Sequence, residues 1–269
     1  MIGDKLETTF LVTGGTGTIG IHVVRGMSDI GLKVRALSRK PGLLPPGAEW
    51  IQFDLLSAPP PDEVLTNVST IVHCAGSAKG DEQATANLIA AAQRAGVEHF
   101  VHISVVGATR LPMKSEIDRA MFGYFAEKAR TERLLEESGI GWSGLRSCQC
   151  HELLAKVAEI AARIPIVPYP SGFWFQPIAA SEVAAWLMLL ALDAPTFEWS
   201  EIGGPEILPA RVIVETYLEA RGKKRPLVPL PLFGAAARTM RSGANLAPKT
   251  MVGTQPWSQF VLRLPEEPE

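Results

Sequence analysis

Cysteine is scarce in this 269-residue chain: Cys74, Cys148 and Cys150 are the only three. They form no C-x-x-C pair and leave an odd thiol, which excludes a fully paired disulfide framework and points to a reducing compartment, with the cytoplasm as the expectation. Neither sign of charge dominates. A net charge of −2 gives no general attraction to nucleic acid or an anionic membrane. The local exception, Arg221, Lys223, Lys224 and Arg225, reads as a solvated helix end, with a binding patch as the alternative. Asp4, Lys5 and Glu7 interrupt the N-terminus, so no secretory signal is read there. The longest apolar run, Val183 to Leu192, is too short to cross a bilayer and reads as a buried helix. His151 has no second histidine or carboxylate at ligand spacing. No metal site is expected, and His151 reads as structural or as a pocket wall. The closing LPEEPE reads as a solvated acidic tail.

What is present is the balance of a protein with a substantial core, 46% hydrophobic and 20% charged. A short apolar run, Thr9 to Val12, breaks into Gly14, Gly17 and Gly20 and then into a helical pattern through Ile19, Val23, Val24 and Met27. Strand, glycine turn and helix in that order make a phosphate cradle: Gly14 for the tight turn, Gly17 for close backbone approach, Gly20 for helix packing, and helix N–H groups for the anion. Further strands are expected at Lys33–Leu37, Glu49–Phe53, Thr70–His73, Glu98–Ser104 and Ile140–Arg146. Helices are expected at Glu82–Ala95 and Met121–Ser138, stopped by Gly96 and Gly139. Such alternation predicts an α/β fold, a Rossmann-type doubly wound parallel sheet. Its core would occupy residues 1–146. Residues 147–269 would form a small, mostly helical C-terminal lobe for substrate or partner, packed as one unit with the core, with helices at Glu152–Arg163, Ser181–Leu192 and Pro209–Arg221. There, Ser171 to Pro177 sets an aromatic cluster in a loop, either a core plug or the wall of an apolar pocket.

The acid that would grip a ribose 2′-hydroxyl at the end of the second strand is missing. Ser38, Arg39 and Lys40 stand there instead, a set suited to the 2′-phosphate of NADP(H). Asp54 can accept from an adenine amino group with Leu55 against the ring, or can cap a turn. Cys74, Ala75 and Gly76, closing the fourth strand, would approach the cofactor by backbone, as would Thr16, Thr18 and Ile19 in the cradle. Tyr124 and Lys128, four apart in a helical pattern, share one helix face. Hydride delivery to a carbonyl carbon makes an alkoxide that needs a proton. Tyr124 can supply it, while Lys128 lowers the phenol's pKa and holds the nicotinamide ribose. Ser104, at the end of the fifth strand, is the available hydroxyl for polarising the carbonyl.

TGGTGTIG, the basic Ser38-Arg39-Lys40, YFAEK, Leu145-Arg146 and Gln149-Cys150-His151 together resemble the short-chain dehydrogenase/reductase superfamily, in its atypical NmrA-like branch, over nearly the whole chain. The resemblance implies NAD(P)H binding and often a Ser-Tyr-Lys set, carried here to Ser104, Tyr124 and Lys128. The order His102-Ile103-Ser104-Val105 leaves two registers, one with Ser104 at the catalytic hydroxyl position and one with Val105 there and Ser104 lining the cofactor. The expected activity is NADP(H)-dependent reduction of a small apolar or aromatic carbonyl, enone or quinone. Two alternatives are a non-catalytic NADP(H)-responsive protein with a regulatory partner, and an isomerisation or epimerisation on retained cofactor.

Overall fold

The computed structural model describes residues 7–76 and 79–265; Asp4, Lys5 and the tail from Glu266 lie outside them. Seven strands form the central sheet in the order β3-β2-β1-β4-β5-β6-β9. They are β1 (Thr9–Thr13), β2 (Lys33–Ser38), β3 (Glu49–Gln52), β4 (Val68–His73), β5 (His99–Val105), β6 (Gly141–Ser147) and β9 (Trp199–Ile202). β1 and β5 are buried along their whole length, as strands covered on both faces must be. Parallel registers run Thr13 to Leu37 on one side of β1 and Thr13 to His73 on the other. The strand order therefore reverses between β1 and β4, and a doubly wound sheet opens its ligand crevice at such a reversal.

Helices α1 (Gly20–Asp29), α2 (Asp81–Ala95) and α3 (Glu116–Glu136) connect these strands. α1 buries Val23, Val24 and Met27, the stripe expected from its periodicity. Gly96, at φ +67°, ends α2 by donating to the carbonyls of Ala92 and Gln93. α3 begins five residues before the expected Met121. Ser115 and Asp118 bond reciprocally there: Ser115 Oγ accepts from the Asp118 N–H, and Asp118 Oδ2 accepts from the Ser115 N–H at 3.1 Å.

The chain divides into two compact units. The first takes the residues up to Ser104, then Tyr124–Arg146 and Ser181–Ser200; the second takes Val105–Gly123, Ser147–Ala180 and the chain from Glu201 onward. A single cut after residue 146 is thus corrected, because α5 (Ala180–Leu192), from Ser181 on, and the first two residues of β9 return to the first unit. Its core gathers Leu11, Leu37, Ile71, Leu88, Phe100 and Leu135. The second unit contains α4 (His151–Ala161), α6 (Ala210–Ala220), α7 (Ala235–Arg241) and α8 (Trp257–Leu262). It also holds the short pairs β7 (Val167–Pro170) with β11 (Leu227–Leu230) and β8 (Trp174–Phe175) with β10 (Leu208–Pro209). α4, α6 and α8 share a cluster of Leu154, Ala158, Ile213, Tyr217, Trp257 and Val261. His151 is buried in ring contact with Trp257 at 5.8 Å and Phe260 at 4.8 Å, which makes it structural. Gln176, fully buried, accepts from the Ala247 N–H at 2.8 Å and donates to the Gly204 carbonyl at 3.0 Å, tying three segments together. Phe173 is buried against Phe122, so it plugs the second unit's core, while Trp174 stays exposed.

Two of the first unit's buried histidines, His73 and His102, stack on one another. His73 hydrogen-bonds through Nδ1 to Thr13 Oγ1 at 2.6 Å and through Nε2 to Thr85 Oγ1 at 3.2 Å, and it stacks on His102 at 5.0 Å. Burial lowers His73 to about 4 and holds His102 well below the usual histidine range. Both stay neutral in the fold, whereas the unfolded chain takes up their protons near pH 6.5. The stability they permit is complete above that pH and is lost as pH falls toward 4. From His73 alone the loss at pH 5 is about 2 kcal/mol. Urea midpoints at pH 7 and pH 5 measure it, and His73→Asn should flatten the slope; an unchanged slope would remove His73 as its source.

Candidate active site

The cradle forms at the reversal between β1 and β4. Gly14 adopts φ +64°, and a Cβ there would lie 2.7 Å from the Ala75 nitrogen, so the turns after β1 and β4 meet at a point where only glycine fits. A Cβ on Gly20 would collide with the Gly14 carbonyl, which the start of α1 covers. The Gly17 N–H closes the turn onto the Gly14 carbonyl at 2.8 Å. Among the described residues, the N–H groups of Thr16, Thr18 and Ile19 have no protein acceptor. These orphaned donors ahead of a ten-residue helix suit a diphosphate. Ala75 is fixed from below by its N–H bond to Thr13 Oγ1 at 3.3 Å, the same hydroxyl that His73 holds.

The basic loop is joined to the cradle. Thr16 Oγ1 and Ser38 Oγ both donate to the Lys40 carbonyl, at 3.1 and 2.8 Å, and Trp50 Nε1 donates to Ser38 Oγ at 3.0 Å. Ser38 is therefore spent on shaping the turn. Arg39 and Lys40 stay exposed, and no ion-pair partner holds either among the described residues. Asp54 caps its own turn, Oδ1 accepting from the Leu56 N–H at 3.1 Å. The Leu55 side chain is buried in the core, and its carbonyl accepts from Asn87 Nδ2 at 2.7 Å. The expectation that this side chain lies against an adenine ring is corrected, because the chain turns it inward with Leu65 and Leu88.

Tyr124 and Lys128 stand one turn apart on α3, as their spacing requires. Lys128 is buried, its Nζ 2.9 Å from Asp81 Oδ2 at the start of α2 and 3.3 Å from the Ile103 carbonyl of β5. A Cβ on Gly76 would lie 3.4 Å from that nitrogen, so the end of β4 runs beside it. Burial works against the ammonium, but the negative charges available to Tyr124, Asp81 and Cys74 outweigh it, and Lys128 lies above the usual lysine value. Cys74 is pushed up to about 12 by burial, against the pull of Lys128, so it is a neutral thiol. The sequence reading missed Asp81. Its only signal there was an acid opening a helix, which reads equally as a dipole match.

Ser104 belongs to a different group. Its Oγ donates to Glu132 Oε1 at 2.5 Å, and Glu132 is clasped by Arg146, Nε to Oε1 at 3.0 Å and Nη2 to Oε2 at 2.6 Å. Glu132 lies eight residues beyond Tyr124, about 12 Å along the helix axis. The expectation of a Ser104-Tyr124-Lys128 set is corrected: Ser104 is committed to the Glu132–Arg146 pair. Val105, the other register, is aliphatic and supplies no hydroxyl. Cys148 and Cys150 are buried free thiols in the second unit, raised by burial, with Cys148 donating to the Asn245 carbonyl at 3.4 Å.

This geometry has a known counterpart. The family described as NAD(P)H-binding matches residues 14–152, from the first cradle glycine to the start of α4. The chain belongs to this NAD(P)H-binding family. Its relatives are of the atypical short-chain dehydrogenase/reductase, epimerase-type kind. A 3β-hydroxysteroid dehydrogenase/Δ5→4-isomerase of Mycobacterium tuberculosis is 32% identical over 179 residues, covering 55% of this chain and 48% of that one. The chain thus spans about half the length of the relatives it matches. Among solved structures, an NADPH-dependent quinone oxidoreductase of Escherichia coli, complexed with NADPH, superposes with a TM-score of 0.73 at 18% identity, over 94% of this chain and 98% of that one. A Thermus thermophilus UDP-glucose 4-epimerase complexed with NAD superposes with a TM-score of 0.69 at 22% identity, over 95% and 98%. At these identities the likeness is one of fold. No helix of the described residues is long and apolar enough to cross a membrane, and no cluster among them suits a metal ion.

Proposed function

We propose that this protein is an NADP(H)-dependent oxidoreductase reducing an apolar carbonyl, enone or quinone-type small molecule, with Tyr124 as proton donor. The observation that carries the reading is the buried Lys128, held cationic by Asp81 one helical turn from the phenol. Bound NADPH supplies the hydride. Tyr124, 39% exposed, delivers its proton to the substrate oxygen and can recover one from water. Lys128 stabilises the charge left on the phenol, and Asp81 keeps the ammonium in place. The orphaned N–H groups of Thr16, Thr18 and Ile19 take the diphosphate, and Gly14 and Gly17 give it room. Arg39 and Lys40, exposed and unpaired, support the 2′-phosphate assignment, and Asp54, Cys74, Ala75 and Gly76 line the remaining path by backbone or carboxylate. The names of a steroid dehydrogenase and a quinone oxidoreductase among the similar proteins support an apolar substrate class.

One observation favours a second reading, a non-catalytic protein that answers the NADP(H) state through a regulatory partner: the Ser104 hydroxyl is spent on Glu132. Calorimetric titration with NADPH and NADH, followed by quinones, enones and aldehydes with nicotinamide absorbance as readout, separates the two. Tight NADPH binding with consumption on any compound supports the reductase; tight binding without consumption supports the sensor. Arg39→Ala should weaken NADPH about tenfold or more, the loss of one charge-assisted phosphate contact, and leave NADH unchanged. Equal weakening of both would remove the 2′-phosphate assignment.

A further inference from the structure

Helix α4 carries two apolar faces. His151, Leu154, Ala155 and Ala158 turn inward. Leu153, Val157, Ile160 and Ile164 recur at spacings of four, three and four on another stripe, and with Ile166 they are each between 45% and 56% exposed. Past the end of α4 a turn continues the stripe, the Ile164 N–H donating to the Ala161 carbonyl at 3.3 Å. The neighbouring backbone extends the patch. The Val167 N–H donates to the Pro226 carbonyl at 3.0 Å, and β11, paired with β7, exposes Val228, Pro229 and Leu230. Scattered exposed aliphatics are ordinary on any surface; a heptad-spaced stripe continued by a second element is not.

Charge selects what covers it. From Arg221 to Glu269 the sequence has eight lysines and arginines against three glutamates, all three in the closing four residues, in a protein whose net charge is −2. The pairing of Val167 with Leu227 sets Lys223, Lys224 and Arg225 at the Ile166 end of the stripe. Lys156 and Arg163 flank its helical part, three residues beyond Leu153 and Ile160. The helical part is itself charge-balanced: Arg163 pairs with Glu159 at 2.7 Å, and Glu152, which accepts from the Ala180 N–H at 3.2 Å, offsets Lys156, so the cationic end of the patch is the segment before β11. A second copy that set its own basic segment on this one would bring cations against cations. An anionic lipid surface matches both parts of the patch, aliphatics entering the acyl boundary and cations meeting headgroups.

We propose that this face of α4, with the basic segment before β11, docks the protein peripherally on anionic lipid bilayers. The proposal rests on the second unit's surface and not on the catalytic reading. The test is co-sedimentation of the full chain with vesicles of phosphatidylcholine containing phosphatidylglycerol and with phosphatidylcholine alone, across a salt series. Binding is expected to the first, to weaken with salt, and to be at least tenfold weaker on the second. Each cation is worth about fivefold near an anionic surface, so Lys223→Gln, Lys224→Gln and Arg225→Gln together should cost at least about tenfold. The double variant Val157→Gln, Ile160→Gln should lose binding comparably while keeping its unfolding midpoint and NADPH affinity. Equal sedimentation with both vesicles, or none with either, overturns the proposal. So does a concentration-dependent dimer abolished by the double variant, which assigns the face to a second copy.

Discussion

Replacing Tyr124 with phenylalanine should lower kcat about 100-fold or more on any substrate the protein turns over, the ordinary contribution of a positioned general acid. NADPH affinity should not change, because the hydroxyl meets the substrate and not the cofactor in the proposed arrangement. The companion variant Asp81→Asn tests the same reading from its other end. Removing that carboxylate leaves Lys128 buried against a neutral amide, where burial favours the uncharged amine and the Tyr124 phenolate loses its cationic support. The phenol's apparent pKa in the pH–rate profile should rise. A rate unaltered by Tyr124→Phe would eliminate the phenol as donor, and an unmoved profile in Asp81→Asn would reduce the Asp81–Lys128 pair to a packing feature.

Glu132→Leu should destabilise the fold by about 3 kcal/mol, measured by urea unfolding, because it removes one member of a largely buried ion pair and with it the acceptor of Ser104. Glu132 is almost fully buried, takes three hydrogen bonds from Ser104 and Arg146, and so fastens α3 to both β5 and β6. Arg146 also lies over the Trp199 ring at 5.2 Å, which holds the side chain in place once its partner is gone. The double variant Glu132→Leu, Arg146→Met should recover much of the loss, since apolar replacement of both members of a buried pair is often nearly neutral. A single-variant loss below about 1 kcal/mol would show the pair to be as weak as a surface bridge. The same variants release Ser104: if its hydroxyl then raised turnover, the clamp would be what keeps Ser104 from the site.

The features legible in the sequence are those written locally. Alternating apolar runs and helical stripes marked the strands through β6, because burial on both faces of a parallel sheet demands near-continuous aliphatic strands. The glycine cradle was legible because a positive φ at Gly14 and the close approach at Gly20 exclude side chains whatever lies nearby. The pairing of Tyr124 with Lys128 followed from helix pitch alone.

What the tertiary structure decided is which polar groups meet across the chain. Asp81 reaches Lys128 over 47 positions and Ser104 reaches Glu132 over 28, and neither contact leaves a periodicity to read. The same holds for the second unit, where two-residue and four-residue strands such as β8 and β7 exist only because a distant segment pairs with them. Local sequence determined the cradle, the strand succession and the Tyr-Lys spacing, since backbone conformation and side-chain period are local properties. Partner choice for buried charges was left to the fold, since burying a charge is tolerable only where a distant counter-charge arrives to meet it.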